Sequence, residues 1–249
     1  MVTLLLVLML TACGSSEGVR KWKLREEGTL TFAMSGLYKP YNFRQQGELT
    51  GFDVEIGKAL AKEMGLKPKP VTNPFETIVA GLQTRKYDAV IGSMGITEER
   101  KKAVDFSKPY YRSGAQIFVD QGNRDIRSPE DLKGKTIGVV KATTYKDEAL
   151  KYSDDIKEYT SDVTALQDLP TGRVDAVITD EGLGDYAILH DHLPIDKVGK
   201  PLTQDEMGIA VRKGNPQLVK AINQALDRIV ENGTYDRISK KWFRRNILH

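Results

Sequence analysis

Few residues of this chain stand at spacings that could do chemistry, and most of those fail on inspection. His190-Asp191-His192 offers two imidazoles at i, i+2, but a metal needs a third ligand that the neighbourhood lacks, so an exposed loop is the simpler reading. Gly134-Lys135-Thr136 has the ending of a phosphate-binding loop. Pro129, however, occupies the position of its first glycine, and a strand follows where a helix is required. No Gly-x-Ser-x-Gly elbow, His-Glu-x-x-His or Gly-x-Gly-x-x-Gly occurs, which argues against hydrolase, zinc protease and dinucleotide enzyme alike. Cys13 is the only cysteine, so neither an intrachain disulfide nor a cysteine-based zinc site can form. What remains is two clusters of small polar groups, Gly92-Ser93-Met94-Gly95 and Thr179-Asp180-Glu181-Gly182. Each comes after a short apolar run, and binding rather than bond-breaking is their expected work.

Those clusters are positioned by a phrase that occurs twice. Leu82-Gln83-Thr84-Arg85-Lys86-Tyr87-Asp88-Ala89-Val90-Ile91 returns as Leu169-Pro170-Thr171-Gly172-Arg173-Val174-Asp175-Ala176-Val177-Ile178. Each copy ends a helical stretch, makes a basic turn and enters an Asp-Ala-Val-Ile run. That run is too short and too β-branched for a helix and reads as a buried strand. In open α/β sheets ligands sit in the crevice beyond the carboxyl ends of the strands. Two such ends on two similar lobes point to one ligand held between them.

The remaining pattern fits this plan. Leu30 to Met34 reads as the first strand. Phe52 to Met64 reads as a helix with Ile56, Leu60 and Met64 on one face, Asp53 as N-cap and Gly65 as its stop. Asn73-Pro74-Phe75-Glu76 starts another helix, with Asn73 as cap and a stripe of Phe75, Ile78, Val79 and Leu82. Ser128-Pro129-Glu130-Asp131 repeats the cap logic before the strand Thr136 to Val140. Gly208 to Arg212 is a late strand, and Pro216 to Asn232 a helix with Leu218, Ile222, Leu226 and Ile229 on one face. A short basic helix runs from Gly233 through Trp242.

At 249 residues the chain has room for two domains. Its 40% hydrophobic and 29% charged fractions are those of a globular protein. The net charge is only +3 and its bases are scattered among acids, which argues against a nucleic-acid partner. Met1 to Ala12 is dominated by Leu, Val and Met and leads into Leu10-Thr11-Ala12-Cys13. It is too short to span a bilayer but long enough for the core of an export signal. It resembles the lipobox of a bacterial lipoprotein, with residues 1–12 removed, Cys13 lipidated and residues 13–27 a tether.

Several motifs then occur in a fixed order. They are Gly51-Phe52-Asp53-Val54-Glu55-Ile56, Asp88-Ala89-Val90-Ile91, Ile96-Thr97-Glu98-Glu99-Arg100, Val104-Asp105-Phe106-Ser107, Pro109-Tyr110-Tyr111, Asp131-Leu132-Lys133-Gly134-Lys135 and Asn232-Gly233-Thr234-Tyr235. Together, from Leu30 to Phe243, they strongly resemble the solute-binding proteins of polar amino acid ABC transporters. The resemblance implies an α/β protein of the type II periplasmic binding protein fold, whose two lobes are mostly parallel sheets flanked by helices. Lobe 1 would comprise residues 28–118 plus 208–249 and lobe 2 residues 119–207. The crossings would fall near Phe118-Val119-Asp120 and Glu206-Met207-Gly208.

The resemblance also assigns roles. Arg100 matches the arginine that pairs with the ligand α-carboxylate, a contact for which a planar guanidinium is suited. Asp180 matches the acid for the α-ammonium, and Thr144, at a helix start, a second group on the carboxylate. Ser93 and the Gly95 amide match pocket groups of the first lobe, and Tyr38 and Phe75 the aromatics that sandwich the ligand side chain. Three positions depart from common family patterns. Gly95 replaces a Ser or Thr, Ala142 replaces a Gly, and Ser35 replaces the acid common in receptors for cationic amino acids. Without that acid a buried cationic side chain is costly, so a neutral polar ligand, glutamine- or cystine-like, is expected. The implied protein is monomeric and extracytoplasmic. It is anchored to the cell membrane through Cys13 and delivers an L-amino acid to an ABC permease and its ATPase. No cofactor, metal or catalytic residue is expected. The competing readings are a dehydratase-like enzyme on the same scaffold, with Glu181 beside Asp180 as its general acid, and a ligand-sensing module.

Overall fold

A computed structural model of the protein describes residues 22–248. Cys13 and the expected export signal, residues 1–12, lie outside the described residues. The strands are β1 (Thr29–Met34), β2 (Leu37–Tyr38), β3 (Asn42–Gln45), β4 (Glu48–Thr50), β5 (Lys67–Thr72), β6 (Ala89–Gly95), β7 (Val104–Ser113), β8 (Ala115–Asp120), β9 (Ile137–Val140), β10 (Ile156–Tyr159), β11 (Ala176–Asp180), β12 (Ile195–Val198) and β13 (Asp205–Arg212). The helices are α1 (Phe52–Glu63), α2 (Phe75–Gln83), α3 (Glu98–Ala103), α4 (Thr144–Ala149), α5 (Asp162–Asp168), α6 (Glu181–Leu189), α7 (Pro216–Glu231) and α8 (Thr234–Phe243). A single 3-10 turn, Pro129–Leu132, carries the expected capping box between Ser128 and Asp131.

Two five-stranded sheets share one topology. The first runs β5-β1-β6-β13-β7 and the second β10-β9-β11-β8-β12. In each, three parallel strands in the order second-first-third meet an antiparallel strand that arrives from the other lobe. The repeated phrase supplies the third strand of each sheet, β6 and β11, at its centre. Its aspartate does the same job twice. Asp88 Oδ2 accepts from Thr31 N at 2.9 Å, and Asp175 Oδ2 accepts from Thr136 N at 2.8 Å. Each carboxylate thereby satisfies an amide of the neighbouring first strand, within β1 in one lobe and just before β9 in the other.

The helices pack by the periodicity visible in the sequence. Ile56 and Leu60 of α1 are fully buried against the first sheet, each contributing about 1.5–3 kcal/mol relative to exposure. Leu218, Ile222, Leu226 and Ile229 of α7 form the buried face of that helix. Two caps differ from expectation. The N-cap of α1 is Gly51, and Asp53 lies inside the first turn with its side chain fully buried. The N-cap of α2 is Pro74, while the Asn73 amide instead donates to Pro74 O and Thr77 Oγ1.

The lobes join where two segments cross. The whole of Ala115–Asp120 pairs within the second sheet and the whole of Asp205–Arg212 within the first. The crossings therefore fall at Gly114 and between β12 and β13, a few residues before the positions the motifs indicate. Gly114 is where the segments touch: a Cβ there would lie 2.1 Å from Thr203 O, so no side chain fits. Ala115 N donates to Thr203 Oγ1 at 2.9 Å and Leu202 N to Ala115 O at 2.7 Å, stitching the crossing together.

Candidate functional site

The carboxyl end of β6 in the first lobe and, in the second, the end of β9 with the starts of α4 and α5 line a cavity of about 40 Å³. Of the eight binding residues expected from the resemblance, seven line it: Ser35, Tyr38, Phe75, Ser93, Gly95, Arg100 and Thr144. Asp180 does not. Val140, Tyr145, Thr160, Asp162 and Met207 complete much of the wall, and no motif in the sequence pointed to them.

Arg100 sits in the first turn of α3, capped by Thr97, whose Oγ1 accepts from Arg100 N at 3.1 Å. Its guanidinium donates to Gly95 O at 3.0 Å in the first lobe and to Ala142 O at 3.2 Å in the second. It also lies 5.6 Å from the centre of the Phe75 ring. Burial lowers its pKa from the ordinary arginine value, but an arginine stays charged in any protein. Three donors of the fork remain beyond these two bonds. The Gly95 carbonyl thus holds the arginine, while the Gly95 amide is the group that the resemblance assigns to the pocket. Phe75 presents its face to that arginine while also packing against the cluster that holds Ile78 and Leu82 of α2.

Behind the first-lobe wall lies a polar network that sequence reasoning missed. The Asp53 carboxylate accepts from Asn42 Nδ2 at 2.6 Å, Ser93 Oγ at 2.9 Å and the Tyr110 hydroxyl at 2.7 Å. Asn42 in turn accepts from Ser35 Oγ at 3.0 Å and Gly36 N at 2.8 Å. Burial pushes the Asp53 carboxyl up to about 6, with its three donors opposing the rise. Ser93 holds a left-handed backbone, φ 56°. Asp53 therefore fixes Ser93 directly and Ser35 through Asn42, the two first-lobe serines of the pocket. The signal was its position in a helix rather than before one, which caps cannot explain.

The second lobe presents helix starts. Thr144 opens α4, preceded by Thr143, whose hydroxyl donates to Val140 O at 2.7 Å. Ala142 adopts φ 59°, a left-handed conformation that glycine would adopt without steric cost. Asp180 is fully buried and N-caps α6, accepting from Leu183 N at 3.1 Å. Its oxygens also accept from the Tyr41 hydroxyl of the first lobe at 2.9 Å and the Tyr145 hydroxyl at 3.1 Å. Tyr38 stacks on Tyr41 at 5.1 Å, and Tyr41 on Tyr111 at 4.8 Å, so an aromatic column runs from the pocket into the core. A latch closes the far side, where Lys39 reaches Asp191 at 2.5 Å and lies over the Tyr186 ring.

The pocket shares Ser35, Leu37, Phe75, Val140 and Thr160 with a larger outer chamber of about 400 Å³. Arg44, Glu76 and Lys141 line that chamber, and none of the three is in an ion pair among the described residues.

This two-lobed cleft has clear relatives. Residues 30–245 match the family of bacterial extracellular solute-binding proteins, family 3. The chain belongs to that family. The L-cystine-binding protein TcyJ of Escherichia coli (strain K12) is 36% identical over 229 residues, covering 90% of this chain and 86% of the relative. An ancestral arginine-binding protein bound to glutamine superposes with a TM-score of 0.81 at 41% identity, covering 88% of this chain and 99% of that one. The ancestral amino acid-binding protein AncCDT-1, a precursor of cyclohexadienyl dehydratase, matches with a TM-score of 0.80 at 38% identity over 87% and 96% of the two chains. The solute-binding proteins of this family are extracellular by description, and no described helix of this one is long and apolar enough to cross a membrane. Glu181, the general acid of the dehydratase reading, pairs with Lys197 at 3.3 Å and is not part of the pocket wall. No cluster of metal-binding side chains occurs among the described residues.

Proposed function

We propose that this solute-binding protein captures a single L-amino acid between its lobes and delivers it to an ABC permease driven by its ATPase. It acts as a monomer held to the cell membrane by lipidated Cys13. The observation that carries this reading is Arg100. Its guanidinium lines the pocket, is oriented by a carbonyl from each lobe, and is in no ion pair among the described residues. A ligand carboxylate completes the pair, with the start of α4 at Thr144 favouring the same negative charge. Because the arginine touches both lobes, binding favours the closed state by the affinity it adds there.

The same geometry supports a neutral, elongated ligand. Ser35 meets Asn42 and carries no charge, and the chamber it opens on sets two bases against one acid, so a lysine or arginine side chain would meet net positive charge there. The outer chamber, with one acid and two bases, suits the second ammonium and carboxylate of L-cystine, a group that glutamine lacks. Cystine is therefore favoured over glutamine. Thermal unfolding in the presence of L-cystine, L-glutamine and L-arginine tests this. A ligand at a hundred times its dissociation constant adds about 2.7 kcal/mol of stability. The strongest shift is expected with L-cystine. A stronger shift with arginine would overturn the argument from Ser35, and no shift with any amino acid would overturn the function.

A further inference from the structure

The end of the first sheet opposite the cleft carries another cavity, of about 210 Å³. Lys23 and Arg25 line it from the segment before β1, Arg85 from the turn before β6, and Arg212 from the end of β13. None of these four bases is in an ion pair among the described residues. Asp88 is the one acid of the wall, and its two oxygens already accept from the backbone amides of Arg25 and Thr31. Glu26, next along the chain, pairs with Lys69. The cavity thus presents positive charge that its own wall does not neutralise.

The repeated phrase supplies a comparison within the molecule. Arg85 stands where the second copy has Gly172, and both hold a left-handed backbone, φ 61° and 71°. Glycine adopts it freely, whereas a residue with a Cβ is strained there. Arg173, the base of the second copy's turn, pairs with Asp168 at 3.0 Å. One turn is relaxed and neutralised, while its twin keeps a strained, unpaired arginine on the cavity wall, and strain of that kind points to a function. The expected tether also enters the fold here. The described residues begin at Trp22, Asn215 Nδ2 holds Lys23 O at 3.3 Å, and Arg20 and Lys21 precede them in the sequence.

We propose that this basic cavity seats the anionic headgroups of the membrane lipids, so that the first lobe rests on the bilayer by the pole opposite its cleft. This rests on the reading that Cys13 is lipidated: the residues between Cys13 and Trp22 span at most about 30 Å when extended, which keeps the cavity near the surface. A guanidinium matches a phosphate with two parallel hydrogen bonds. Each base close to an anionic leaflet adds about fivefold to membrane affinity.

Flotation of the mature chain carrying Cys13→Ser on lipid vesicles tests the cavity without the anchor. Phosphatidylcholine vesicles are compared with an equimolar mixture of phosphatidylcholine and phosphatidylglycerol. Binding is expected to the anionic vesicles alone and should weaken as salt rises. Arg25→Gln, Arg85→Gln and Arg212→Gln combined should lower it about a hundred-fold. The same charge change at three exposed bases of the second lobe, Arg124→Gln, Arg127→Gln and Lys133→Gln, should lower it less than about fivefold. Neither variant should alter amino acid binding. Equal losses in the two variants, or no binding of the unmutated cavity to anionic vesicles, would overturn the proposal. If the first variant does not fold, Arg85→Gly decides. It should melt close to the wild type, since glycine suits that backbone, yet bind anionic vesicles about fivefold more weakly; unchanged affinity sinks the idea. Inorganic phosphate that binds the cavity when anionic vesicles do not would assign a soluble anion and overturn it too. Absence of lipid on Cys13 in cells would remove the anchoring reading and leave the vesicle result standing.

Discussion

In the first lobe the Asp-Ala-Val-Ile strand runs on through Gly92-Ser93-Met94-Gly95 and stays paired with β13 up to Gly95. In the second it stops at Thr179-Asp180 and turns directly into α6. One strand end becomes a floor of small groups on which a ligand can rest. The other turns into a helix cap, and its acid accepts from two tyrosine hydroxyls. Equal sheets with an equal phrase at their centres therefore make unlike contributions: the first lobe supplies a cation and hydroxyls, the second supplies acids and helix starts. The residues beyond a strand, more than the strand itself, decide which groups its end can bind.

The sharpest way to break this comparison is at the first lobe's cation. Arg100→Ala should weaken amino acid binding by about 2–5 kcal/mol, thirty- to several-thousand-fold, because the ligand carboxylate is left without its partner. Near-wild-type affinity by calorimetry would mean that the first lobe does not hold the carboxylate.

Both lobes carry a raised acid, and pH tests them together. Asp53 titrates near 6 and Asp162 near 7, both lifted by burial, against about 3.9 for aspartate in the unfolded chain. Between about pH 4 and 7 the folded protein holds protons that the unfolded chain has released, so stability falls as pH rises through that window. The unliganded protein should melt higher at about pH 5 than at about pH 7.5, by a difference on the order of a few kcal/mol. An equal or lower melting temperature at pH 5 contradicts it.

The two copies of the phrase can also be weighed against each other. Asp88 is buried and accepts from both Thr31 N and Arg25 N, whereas Asp175 is exposed. Asp88→Ala should cost about 2 kcal/mol through buried amides left unpaired, and Asp175→Ala less than about 1 kcal/mol because water can replace it. Equal losses in denaturant unfolding would show that burial does not distinguish the lobes.

The smallest effect concerns the loop that faces Arg100. Ala142 is exposed and left-handed, so Ala142→Gly relieves backbone crowding at some cost in unfolded-state entropy. A net gain of about 0.5–1 kcal/mol in unfolding free energy is expected, and a loss would mean that the alanine methyl has a packing role.

Much of the fold was legible in the residues because it rests on local rules. The strand of each repeat, the face of α7 and the capping box at Ser128 arise from β-branching, helical period and side-chain reach, all of which act within a few positions. Seven pocket residues were legible only through the ordered motifs, since nothing about Ser93 or Phe75 taken alone distinguishes a binding group from a core or surface one. Asp53 was misread as a cap because a carboxylate near a helix start has two uses. Whether it faces the helix amides or Asn42, Ser93 and Tyr110 depends on what packs beneath the helix.

By itself, then, the sequence determined the two sheets, the repeat at their centres and the charge available to a ligand, because periodicity and residue chemistry are properties of the chain. Only the tertiary structure decided the crossing at Gly114, the orientation of Arg100 by two carbonyls, and which acid faces the pocket. Asp162 and Asp180 are eighteen residues apart and chemically identical. Tyr41 from the other lobe and Tyr145 from α4 hydrogen-bond the second, while the first lines the pocket, and no local signal carries a contact made across such separations.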